Sequence, residues 1–113
     1  MIRYSETERT AVINTATSGD NSIIAAPGSG KRLYIDFVTL LPTTAVSVTF
    51  YSGAAGTALS GPFPLDAKQA MTVENASQVE HGVLECADNT AFVINLGAAV
   101  QVGGFVRYRI GGE

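Results

Sequence analysis

No stretch of twelve residues in this chain carries a helical period. Instead, short runs rich in Val, Ile, Thr and aromatic residues alternate with clusters of Gly, Pro, Asn and Asp. The clearest run is Ala45–Ser52. There Val46, Val48 and Phe50 point one way, and Ser47, Thr49 and Tyr51 the other. This is the pattern of a strand with one buried and one wet face. Twelve glycines reinforce the bias against helix.

The same reading extends along the chain. Ala11–Ala16 ends in the turn cluster Ser18-Gly19-Asp20-Asn21, and Ser22–Ala26 stops at Pro27-Gly28-Ser29-Gly30. In Arg32–Leu41, alternation places Leu33, Ile35, Phe37 and Thr39 on a core face, with Tyr34, Asp36 and Val38 opposite. Gly53-Ala54-Ala55-Gly56 reads as flexible. Thr57–Ser60, Ala70–Glu74 and Val83–Cys86 read as short extended pieces, and Thr90–Leu96 as a strand. In the last run, Val100–Ile110, Gly103-Gly104 suggests a bulge. About eight strands at this spacing predict an all-β, antiparallel two-sheet sandwich, with a jelly roll as the favoured topology. Residues 1–9 hold Arg3, Glu6, Glu8 and Arg9 with little periodicity, and read as an N-terminal arm. Residues 10–113 form the sandwich.

At 113 residues, 11.8 kDa, the chain is one domain. Folding is expected to leave roughly 5,900 Å² of about 17,000 Å² exposed, enough burial for a core without metals or disulfides. Hydrophobic residues make up 46% and charged residues only 15%. A small domain has the most surface per volume, so this shortage of charge implies that part of the surface is covered in the working state. Burial against copies of itself or against a host protein is the reading that follows. A surface solvated by Ser, Thr and Asn is the plainer alternative.

Several functions lack their chemistry. The net charge is −3, and with Lys31-Arg32 the one adjacent basic pair there is no long basic run of the kind that neutralises phosphates. Pro27–Arg32 resembles a phosphate loop only superficially. Ala25 stands where the first glycine belongs, Arg32 replaces the hydroxyl residue, and a strand follows instead of a helix. His81 and Cys86 are the single His and the single Cys. Five residues apart in an unpatterned region, they give no sign of a thiolate–imidazole pair. Nor can they alone build a zinc site. Asp20, Asp36, Asp66 and Asp88 are scattered, without acid–base spacing or a calcium loop. The reading is a non-enzyme with no cofactor and no metal.

One cysteine excludes an intrachain disulfide. The polar start lacks a signal-peptide core, and no apolar run approaches the ~20 residues of a membrane span. The expectation is a soluble protein made in a cytoplasm, and the sequon at Asn75-Ala76-Ser77 is read as chance. Tyr34, Tyr51 and Tyr108 fall on or near polar strand faces, where aromatics pair across strands, anchor protein contacts or stack on sugars.

The strings Ile13–Ala26, Gly30–Ile35, Val48–Gly53, Gly56–Pro62 and Asn95–Gly104 together resemble a class of small β-sandwich virion proteins of tailed phages. These are strand-and-turn motifs covering most of the chain. The resemblance implies a capsid decoration (cement) protein on the virion surface, partnered with itself, as a trimer, and with a major capsid protein. It carries no catalytic residue. Ile2, Arg3 and Tyr4 of the arm join Tyr34, Tyr51 and Tyr108 as expected interface residues. The rival reading is a tail or fibre module that binds a receptor or glycan.

Overall fold

A computed structural model describes residues 8–74 and 82–112. Ten strands follow in order: β1 (Arg9–Thr15), β2 (Gly19–Ile24), β3 (Lys31–Pro42), β4 (Val46–Ser52), β5 (Thr57–Ala58), β6 (Phe63–Leu65), β7 (Met71–Glu74), β8 (Leu84–Glu85), β9 (Phe92–Leu96) and β10 (Val102–Gly112). They form two antiparallel sheets. The first runs β1-β10-β3-β7, with β8 also on β3. The second runs β2-β9-β4-β5, with β6 also on β4.

β5 and β6 pair with opposite ends of β4, and β7 and β8 with opposite ends of β3. Each couple acts as one interrupted strand. Merging them leaves eight strands, in the jelly-roll order of alternating sheets. The all-β sandwich expected from the alternation is what the chain forms.

The core lies between the sheets. Ile13, Leu33, Ile35, Val38, Leu40 and Val106 project from the first sheet. Val48, Phe50, Phe92, Ile94 and Leu96 meet them from the second. Phe50 stacks on Phe92 with centroids 5.7 Å apart and lies tilted against Phe63 at 5.9 Å. β4 alternates without a break, as its sequence predicts.

β3 departs from its sequence pattern. Arg107 pairs with Phe37 but Tyr108 pairs with Ile35, so Asp36 is an extra residue in β3. This bulge reverses the alternation beyond it. Leu33 and Ile35 face inward as predicted, but Val38 and Leu40 replace Phe37 and Thr39 in the core. Phe37 and Thr39 turn to the outer face.

Gly103-Gly104 makes no bulge, since its register with Leu41 and Leu40 is continuous. Gly104 serves a close approach instead: a Cβ there would overlap the Thr39 carbonyl oxygen. Gly53–Gly56 is a fastened turn. Gly56 N–H donates to the Gly53 carbonyl at 3.0 Å, and Ala55 N–H donates to Asp20 Oδ2 at 2.8 Å.

Candidate functional site

The outer face of the first sheet carries side chains in rows set by register. One row is Val12, Phe105, Thr39 and Thr72, one from each of β1, β10, β3 and β7. A neighbouring row is Thr10, Arg107, Phe37 and Glu74, and the next holds Asn14, Gly103 and Leu41. Val12 is 72% exposed, Leu41 41% and Phe105 37%. The Phe37 and Phe105 rings lie 5.6 Å apart, tilted by 30°. A contiguous apolar patch therefore faces outward, built from one β1 residue, two β3 residues and one β10 residue.

The bulge at Asp36 ends this patch. Beyond it the same sheet face is ionic. Arg109 Nε donates to Asp36 Oδ2 at 2.7 Å and Nη2 to Oδ1 at 2.9 Å. The Arg109 guanidinium lies 5.7 Å from the centre of the Tyr34 ring. Arg32 Nη1 donates to Glu85 Oε2 at 2.8 Å, which raises the Arg32 pKa. Near the patch, Arg107 and Glu8 approach to 3.6 Å.

The outer face of the second sheet is mainly polar. Asn95 Nδ2 donates to Asp20 Oδ1 at 2.8 Å. That bond and the one from Ala55 N–H hold the Asp20 carboxyl below its usual range. Ser22, Ser47 and Thr49 share this side with Tyr51 and Val93. Among the described residues, the first sheet pairs an apolar outer patch with an open, regular edge strand.

The structure redistributes the expected interface residues. Tyr34 is 4% exposed, because β8 and the Arg109–Asp36 pair close over its position. It presents no surface for stacking. Tyr108 pairs with Ile35 and packs half-buried on the core. Tyr51 is half-buried on the second sheet, between Val93 and Ala58. The three tyrosines do not come together. Ile2, Arg3, Tyr4 and His81 lie outside the described residues.

Val12, Leu41 and Phe105 are residues the sequence reading missed. A signal existed. In Val102–Ile110, Val102 and Val106 mark the core face, which leaves an aromatic, Phe105, on the face opposite. Phe37, half-buried, carried no such signal, because it is the bulge that turns it to the outer face.

Cys86 is fully buried. Burial pushes its thiol up to about 11, so at neutral pH it is a protonated, inert group. Among the described residues no cluster of three or more His, Cys, Asp or Glu could hold a metal. Among them, too, no helix is long and apolar enough to cross a membrane.

The fold defines a class, the jelly-roll β-sandwich, and comparison with solved structures finds a chain of similar fold. A chain from the structure of Bacillus endospore appendages, a family of disulfide-linked pili, superposes with a TM-score of 0.57 at 19% identity, covering 95% of this chain and 88% of that one. At that identity the likeness is one of fold. No family model matches the sequence, and no curated protein does.

Proposed function

We propose that this chain is a structural subunit that works by docking onto other proteins, as a decoration protein on the outer surface of a tailed-phage capsid. The observation that carries the reading is the outward patch of Val12, Phe37, Leu41 and Phe105, on a chain with few charges. Exposed apolar area of this kind favours association, at about 25 cal/mol per Å² covered. The phage setting rests on the resemblance of the strand-and-turn strings. Capsid symmetry would repeat one modest contact many times.

A second reading is favoured by the fold likeness to a pilus chain: a filament subunit. This chain could not copy a disulfide-linked design. Its single cysteine is buried at the core, so any filament would be held by non-covalent contacts.

One experiment separates the readings. Particles from cells that make the protein are fractionated on a density gradient, followed by mass spectrometry and electron microscopy. Recovery of the chain with capsids, as density on their outer shell, supports the proposal. Recovery with filaments that survive reductant supports the second reading. Confinement to the low-mass fractions overturns both.

A further inference from the structure

Among the described residues the sandwich has four sheet edges, and three are blunted. β2 carries a register shift between Ser22 and Ile24. The β5/β6 edge is broken into pieces of two and three residues and contains Pro64. The edge on β3 is interrupted at the Asp36 bulge, where pairing passes from Glu74 on Phe37 to Leu84 on Ile35. β1 differs from all of them. It runs seven residues in unbroken register against β10 and, among the described residues, has no strand on its other side. It contains no proline, no lysine and one charge, Arg9. An unprotected regular edge is a template for strand addition.

We infer that β1 is a homodimerisation edge: two copies pair their β1 strands antiparallel about a two-fold axis through Val12, merging their first sheets into one. This rests on the reading that the chain works by protein contact. The strand is self-complementary in that register. Val12 meets Val12 of the second copy, Ala11 meets Ile13, Thr10 meets Asn14 and Arg9 meets Thr15. No like charges oppose. Residues opposite one another share a face, so Ala11 and Ile13 continue the inward row. Val12, the most exposed of the large hydrophobics, packs side by side with its copy on the outer face. Its row then runs from Phe105 of one copy through both Val12 side chains to Phe105 of the other. The contact is isologous and closes with two copies, where the sequence resemblance implied three.

A seven-residue strand pair is smaller than a standard stable interface, so the affinity expected is on the order of micromolar. Sedimentation of the purified full chain should show a monomer–dimer equilibrium. Val12→Lys places two ammonium groups across the axis and should weaken the dimer at least about tenfold, with a thermal midpoint matching the wild type at concentrations where both are monomeric, because the site is solvent-facing. Register is read by oxidative cross-linking. Val12→Cys should close an intermolecular disulfide, since opposed Cα atoms lie about 4.5–5.5 Å apart, inside the disulfide range. Thr10→Cys should not, because its copies sit roughly 14 Å apart along the strands. A wild type that stays monomeric at every concentration, a Val12→Lys dimer of native affinity, or equal cross-linking at both positions overturns the inference. If the dimer forms but the chain never sediments with particles, the function proposal fails and the edge pairing stands.

Discussion

Asp36 and Arg109 are joined by two parallel hydrogen bonds, of 2.7 and 2.9 Å, at the one place where β3 and β10 fall out of step. Both side chains are mostly buried, at 13% and 16% exposure. Asp36 is the inserted residue, so the ion pair clamps the bulge that decides which side chains of β3 enter the core. Asp36→Ala would leave a guanidinium short of its partner in a mostly dry site, and should cost about 2–4 kcal/mol. Asp36→Asn keeps an acceptor and should cost less. Urea unfolding measures both, and an alanine variant of wild-type stability would show that the bulge holds without the pair.

That clamp also marks where the sequence stopped being legible. Strict alternation through Leu33, Ile35, Phe37 and Thr39 reads as one face, and nothing in those residue types announces an extra residue at Asp36. Its ion-pair partner, Arg109, lies 73 residues away in sequence. β4, paired on both sides without a shift, was readable throughout, as was the Pro27–Gly30 turn, where Lys31 N–H closes on the Gly28 carbonyl at 3.1 Å. Local chemistry fixes turns and simple strands. The outer patch depends on a register set between distant strands, and so does the exposure of Tyr34 and Tyr108, which is set by what packs across them.

Gly103 and Gly104 separate two roles that adjacent glycines share in sequence. A Cβ on Gly104 would overlap the Thr39 carbonyl oxygen, whereas one on Gly103 would meet nothing within 4 Å. β3 and β10 are central strands, so neither backbone can yield alone. Gly104→Ala should destabilise by more than about 3 kcal/mol or prevent folding, and Gly103→Ala should stay within about 1 kcal/mol of wild type. Thermal midpoints of the two variants check this, and equal effects would mean that the strands separate easily.

Cys86 gives the molecule an alkaline limit. Its thiol is raised from an ordinary 9.0 to about 11, chiefly by desolvation. Between those values the unfolded chain loses the proton while the folded one keeps it. The unfolded state then binds fewer protons, and stability falls as pH rises. The contribution is complete below about pH 9.0 and lost as pH climbs through about 11. Urea midpoints measured across this window should decline more steeply in wild type than in Cys86→Ala, which cancels the background from other titrating groups. The same burial predicts that a thiol reagent labels Cys86 only after unfolding. Rapid labelling of the native protein would contradict the closed core.

Phe105 tests the outer patch with little involvement of the core. Its ring is partly exposed and leans on Phe37, so Phe105→Ser forfeits that aromatic contact, about 0.5–1.5 kcal/mol of stability, and leaves the inner rows in place. If the patch docks onto a shell protein, losing a partly exposed aromatic from its centre should weaken attachment at least about tenfold. Val93 supplies the matched control. It lies on the outer side of the second sheet yet is 1% exposed, so Val93→Ala should lower stability with no specific loss of attachment. Co-sedimentation with capsids reads attachment, and the thermal midpoint reads stability. Should both variants lose attachment only in proportion to stability, the first sheet's outer face would not be the docking surface, because its apolar side chains would matter through the fold alone.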